Sequence, residues 1–262
     1  MTRSFLFAQD SGDAATTRLI ASAAQLTGFM KGEPGPARPG WYQVGGDNRA
    51  MLEQLLLALQ ATYPEAGAAF HAVRLWTNLL WQPAYLAVIS AHLHGAVPRF
   101  ATLSQGRRGI YVDGFRLVPA PQQSAPLPER IVDAGQQLRA LSETMLAEVN
   151  DLVRLKPVPA RRLLAERMLG LMIWLAHRRP ALTQAEILLF TDSWLDVLGL
   201  HDQGRLQSVE AEGRSLLIVE RKGCCLDYRI YPDRLCANCP RQDLGVRLAR
   251  QIGNALAERP AP

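Results

Sequence analysis

Apolar residues recur along most of this chain at helical spacing. Met51, Leu52, Leu55, Leu56 and Leu59 share one stripe of a helix that opens after Asp47, a residue suited to the N-cap. A second helix is expected after Pro64, through Phe70, Val73, Leu75 and Trp76. Pro83 should break or kink it, because proline has no amide proton to donate. Pro128 suits a first helical position for a pattern running to Leu155. Leu163, Leu164, Met168, Leu171, Met172 and Leu175 mark a helix over roughly Pro159 to His177. Thr183 and Glu186 spell a capping box ahead of Ile187, so a further helix should reach about Leu198.

Elsewhere the pattern changes. Gly32 to Gly46 is dense in Gly and Pro and reads as a loop joining an N-terminal helical stretch to the next helix. Asp113-Gly114, flanked by Ile110 to Val112 and Phe115 to Val118, signals a hairpin turn. Pro119 to Pro128 holds four prolines and reads as an exposed linker. From His201 the periodicity is strand-like: Leu216 to Val219, a turn at Arg221-Lys222-Gly223, then Cys224 to Ile230. Pro240 should open a last helix carrying Leu244, Leu248, Ile252 and Leu256. The expected class is α+β and predominantly helical: a helical body over 1–200 and a hairpin-plus-helix segment over 201–262.

Composition changes this picture little. With 48% hydrophobic and 20% charged residues in 262, the chain can bury a full core without cross-links. Met1 to Asp10 does not read as a signal peptide, and Leu75 to Val97 is interrupted by polar residues and Pro83. A cytoplasmic chain without a transmembrane span is therefore expected, with the inner-membrane surface left open as a place of peripheral association. Four cysteines in a reducing compartment do not imply two disulfides.

Charge is more informative for where it sits. Of the net +5, most falls after Glu220, where eight basic residues face four acidic ones. No nucleic-acid-reading module accompanies them, so the excess reads as a solvated face or as compensation for an anionic cofactor.

All four cysteines lie in this tail, as Cys224-Cys225 and, after ten residues, Cys236-Ala237-Asn238-Cys239. A C-x-x-C bite lets the chain curl both sulfurs toward one centre. Neighbouring residues of a strand face opposite ways, so Cys224 and Cys225 share a site only if the backbone turns, and Gly223 offers that freedom. Tetrahedral zinc is served more simply by a second C-x-x-C. A [2Fe-2S] cluster, which takes four thiolates on two irons, tolerates the adjacency better. Structural zinc and free or disulfide-linked thiols stay open on spacing alone.

The run Gly223-Cys224-Cys225-Leu226-Asp227-Tyr228-Arg229 through Cys236-Ala237-Asn238-Cys239-Pro240 resembles the C-terminal signature of FhuF-type siderophore-iron reductases, C-C-x10-C-x2-C. The stretch Trp81-Gln82-Pro83-Ala84-Tyr85-Leu86 is also similar to members of that family. The resemblance implies that Cys224, Cys225, Cys236 and Cys239 hold a [2Fe-2S] cluster as both cofactor and metal ligands. It implies a ferric siderophore as substrate, and one-electron reduction of chelated Fe(III) to Fe(II) for iron assimilation.

Oxygen-donor siderophores hold Fe(III) far better than Fe(II), so one electron loosens the grip without acid, base or nucleophile. Trp76, Trp81 and Tyr85, with Arg74 or Arg99, are candidates for a chelate dock, although aromatics at this spacing more often fill a core. Electrons should come from another protein or a small reductant, since no nucleotide-binding fingerprint is present. The alternatives are a zinc-braced basic module that binds nucleic acid or protein, and an iron–sulfur redox sensor. On a helix His92 and His94 diverge and do not read as co-ligands, His71, His177 and His201 read as solitary, and Asp192 with Asp196 as a solvated helix face.

Overall fold

The computed structural model describes residues 12–122 and 124–257. The readings made on Met1 to Asp10, and on Glu258 and Arg259 of the tail, lie outside them. The fold is α+β and mainly helical, and it forms two compact units, Met1–Arg154 and Leu155–Pro262. This division departs from the boundary expected at 200/201. Helices α5 (Pro157–Arg178) and α6 (Gln184–Val197) pack with the C-terminal hairpin, where Leu169 closes on the backbone of Gly204. Contact across a buried face outweighs the change of periodicity that suggested the later boundary.

In the first unit the central element is α3 (Gly67–Ile89), packed against α1 (Gly12–Thr27), α2 (Arg49–Thr62) and α4 (Leu127–Asn150). Phe70, Leu75, Trp76, Leu79, Leu80, Leu86 and Ile89 are all buried, each contributing about 1.5–3 kcal/mol. Pro83 neither breaks nor ends α3. It leaves the Leu79 carbonyl without its amide partner, and the Gln105 side chain donates to that oxygen at 3.0 Å. A residue on a strand thus repairs the helix.

That strand belongs to a four-stranded sheet ordered β1-β4-β3-β2, comprising β1 (Gly32–Pro34), β2 (Tyr42–Gln43), β3 (Leu103–Arg108) and β4 (Tyr111–Leu117). The Gly/Pro-rich loop therefore supplies both edge strands, β1 parallel to β4 and β2 antiparallel to β3. Asp113-Gly114 is not the hairpin turn. Pairing of Gln105 with Phe115 and Arg107 with Val112 sets these two residues against Gly106 alone, a β-bulge with Gly114 at φ +85°. The turn itself is Gly109-Ile110.

In the second unit Thr183 and Glu186 form both halves of the expected capping box at the start of α6. The strands β5 (Gly204–Ala211) and β6 (Arg214–Arg221) pair in register through a turn at Glu212-Gly213. Both turn residues have positive φ, the requirement of the tight hairpin turn. Arg221-Lys222-Gly223 is thus the exit of β6, and the segment after it is irregular rather than a strand. Helix α7 (Leu244–Ala257) begins four residues later than Pro240 suggests, with the Asp243 carboxylate accepting from the amides of Gly245 and Val246. Its own cap, not an external anion, satisfies these first amides. Among the described residues no helix is long and apolar enough to cross a membrane.

Candidate metal centre

Two arms carry the cysteines. The first leaves β6 at Arg221 and runs through Gly223, Cys224 and Cys225 to a 3-10 turn at Asp227–Arg229. Gly223 has no positive φ; its missing Cβ lets the arm lie against α5, where a side chain would meet the Arg162 backbone at 3.1 Å. The left-handed residue is Leu226, at φ +62°, one step beyond the cysteine pair. The backbone turn that the adjacent cysteines require is therefore made after them. The second arm holds Cys236 to Cys239, closed by the Cys239 amide donating to the Cys236 carbonyl at 3.0 Å.

All four cysteines are free; Cys239 is buried and the other three are half-buried. Cys225 Sγ lies 3.6 Å from Cys236 Sγ, one sulfur from each arm. Among the described residues no three His, Cys, Asp or Glu side chains close on one point. The structure thus preforms a two-thiol bite rather than a finished cage.

Burial raises the Cys224 thiol and pushes Cys225 up to about 12. Against that, the Leu226 amide at Cys224 and the Asp227 amide at Cys225 favour the thiolate, as does Arg221 at both.

Arg221, which the sequence places in a turn at the start of the basic tail, is a buried residue instead. Its side chain is 3% exposed and bridges the arms, donating to the Gly223 carbonyl at 2.5 Å and to Asn238 Oδ1 at 3.3 Å. Glu166 of α5 meets it at 2.8 Å. Burial works against the guanidinium charge, but Glu166, Cys225 and Cys236 outweigh it and hold Arg221 above its ordinary range. Burial likewise pushes Glu166 from 4.5 up to about 7, with Arg221 and Arg167 opposing and Asp227 adding to the rise. Glu166 escaped sequence reading. The available signal was an acid inside the apolar run of α5, directly after Leu163, Leu164 and Ala165.

Other basic residues of the tail act as fasteners. The Arg241 guanidinium stacks 4.1 Å from the Tyr228 ring, joining the arms. Arg250 donates to the Leu235 carbonyl and to Gln242, which itself donates to the Cys236 and Ala237 carbonyls. Arg247 reaches the Arg221 carbonyl at 3.4 Å.

The donor set fits a thiolate-ligated iron group. The thiols are free, amides stand at two of the sulfurs, and a buried cation offsets their charge. Two thiolates about 2.3 Å from one tetrahedral metal stand roughly 3.8 Å apart, close to the observed 3.6 Å.

The candidate docking residues lie in the first unit and do not form one wall. Trp76 is core, at 2% exposure, so it has no surface to offer a ligand. Trp81 and Tyr85 are half-buried and meet edge to face, 6.2 Å between centroids. Phe29, 46% exposed and absent from the sequence reading, joins both at 5.8 and 5.4 Å. Arg74 lies over the Phe70 ring, and Arg99 is exposed on the loop before β3.

His94 meets Gln122, His71 meets the Tyr63 carbonyl, and His201, rather than standing alone, pairs with Asp196 at 2.7 Å. No family model matches the chain, and no solved structure matches it.

Proposed function

We propose that the protein is a ferric-siderophore reductase of the cytoplasm, whose four thiolates hold a [2Fe-2S] cluster and pass one electron to chelated Fe(III). One observation carries the reading: free thiols from two arms brought to 3.6 Å around a buried guanidinium. Cys224, Cys225, Cys236 and Cys239 would be the ligands. The group supplies one-electron chemistry when bound.

The residues around it do the rest. Arg221 sets positive charge beside Cys225 and Cys236, which makes the more negative reduced state less costly. The Leu226 and Asp227 amides act in the same direction at Cys224 and Cys225. Glu166 holds Arg221 in place at the same Nε that donates to the Gly223 carbonyl. In the first unit, Phe29, Trp81 and Tyr85 offer an aromatic surface suited to the apolar flank of a chelate. Electrons come from a partner protein or a small reductant.

Purified protein tests this directly. It should be reddish-brown, contain two irons per chain with matching sulfide, bleach with dithionite, and transfer electrons to ferric hydroxamate, citrate or catecholate complexes in stopped-flow mixing. Zinc in place of iron would remove the proposal. An iron–sulfur chain that never reduces these chelates would make it a sensor.

A further inference from the structure

Within that four-thiolate reading, the arrangement of the arms says which sulfurs share a metal atom. The C-x-x-C spacing invites pairing Cys236 with Cys239, and the adjacency invites pairing Cys224 with Cys225. The sulfur–sulfur contact the structure shows is neither of these. The two sulfurs at metal-sharing distance, Cys225 and Cys236, come from different arms. Cys239 is buried while Cys236 is half-buried, so the two ends of the C-x-x-C turn face different surroundings.

We infer that the ligands pair between arms, Cys225 with Cys236 on one metal atom and Cys224 with Cys239 on the other. Each iron then staples the first arm to the second. The fastenings made by Arg221, through Gly223 and Asn238, and by Arg241 on Tyr228 hold the arms in the register this pairing needs.

The test uses the full-length chain loaded with iron-57 in the oxidised state. Cys225→Ser/Cys236→Ser places both oxygen ligands on one iron, so the Mössbauer spectrum should show one doublet with the parent's parameters and one displaced. Cys236→Ser/Cys239→Ser places one oxygen on each iron, so both doublets should move. The reverse pattern overturns the pairing. Should a variant lose its iron, cadmium titration of two-thiol chains decides, read from thiolate-to-cadmium absorption.

Cys224→Ser/Cys239→Ser, which keeps Cys225 and Cys236, should bind one ion at least ~10-fold more tightly than Cys224→Ser/Cys225→Ser, which keeps the C-x-x-C pair. Equal or inverted affinities overturn the inference. Zinc in the wild-type chain sinks the cluster reading and the pairing with it, whereas iron and sulfide with the reverse Mössbauer pattern sink the pairing alone.

Discussion

Replacing Arg221 by Met keeps most of the side chain's volume and removes its charge and donors. Two losses follow, and pH separates them. The Gly223 carbonyl and Asn238 lose a buried partner, which costs about 1–3 kcal/mol at any pH.

The second loss concerns Glu166. In the native chain its carboxyl is pushed up to about 7 from 4.5, so the folded state holds a proton that the unfolded state releases. Stability from this group is full below pH 4.5, falls as pH rises toward 7, and is level beyond. Without Arg221 the carboxyl rises further, and the fall continues above pH 7. The variant should therefore trail wild type by about 1–3 kcal/mol at pH 6, and the gap should widen by up to about 1.4 kcal/mol by pH 8. Urea unfolding of the metal-free chains, followed by far-UV circular dichroism, measures both. Arg221→Met/Glu166→Gln should lose the widening and keep the constant part. A gap unchanged between pH 6 and 8 refutes the assignment of Glu166 and Arg221 as a coupled buried pair.

Gln105→Leu leaves the Leu79 carbonyl buried without a donor and should cost about 1–3 kcal/mol in denaturant unfolding. Adding Pro83→Ala returns an amide to that position in α3 and should recover part of the loss; no recovery would mean that Gln105 acts through packing alone. Phe29→Ala should weaken ferric-chelate binding about 2- to 10-fold, since one aromatic contact is worth about 0.5–1.5 kcal/mol. Its melting temperature should barely move, and unchanged chelate affinity would remove the aromatic surface from the dock. Because burial pushes Cys225 up to about 12 and raises Cys224, metal uptake must displace protons, so loading of the metal-free chain should weaken steadily from pH 8 to pH 6. A pH-independent titration would contradict thiol protonation in the metal-free state.

The elements that sequence patterning placed well are those whose signals are local. The leucine stripe of α2 and the Thr183/Glu186 box depend on residues within a turn or two of one another. Misplacements arose where a distant residue decided the outcome. Pro83 stays inside α3 because Gln105, on β3, satisfies the carbonyl that proline abandons. Asp113-Gly114 carries a strong turn signal, yet β3 is already paired through Gly109-Ile110, so the glycine's positive φ is used in a bulge. Gly223 reads from the sequence as a point of conformational freedom, and what it provides is clearance from α5. The cysteines were legible as a set, whereas the Glu166–Arg221 pair joins residues fifty-five apart and leaves no periodic trace.

The tail's charge has a physical role that its composition hides. From Lys222 to the end of α7 only Gly223 and Cys239 are buried, and α7 itself buries no residue fully. A segment whose other apolar residues are at most half-buried is held only weakly by hydrophobic contact, which contributes about 25 cal/mol per Å² of area removed from water. Polar fastenings take that place: Arg221 to Gly223 and Asn238, Arg241 to Tyr228, Arg250 to Leu235, and Gln251 to the Val219 amide. Hydrogen bonds and exposed cation contacts each contribute only about 1 kcal/mol net, so the segment should draw rigidity from the metal group proposed above. Amide hydrogen exchange across 222–257 should therefore accelerate at least ~10-fold on metal removal, while β5 and β6, paired along their whole length, stay protected. Equal protection with and without metal would mean that the fastenings suffice, and that the thiols need no metal to keep their places.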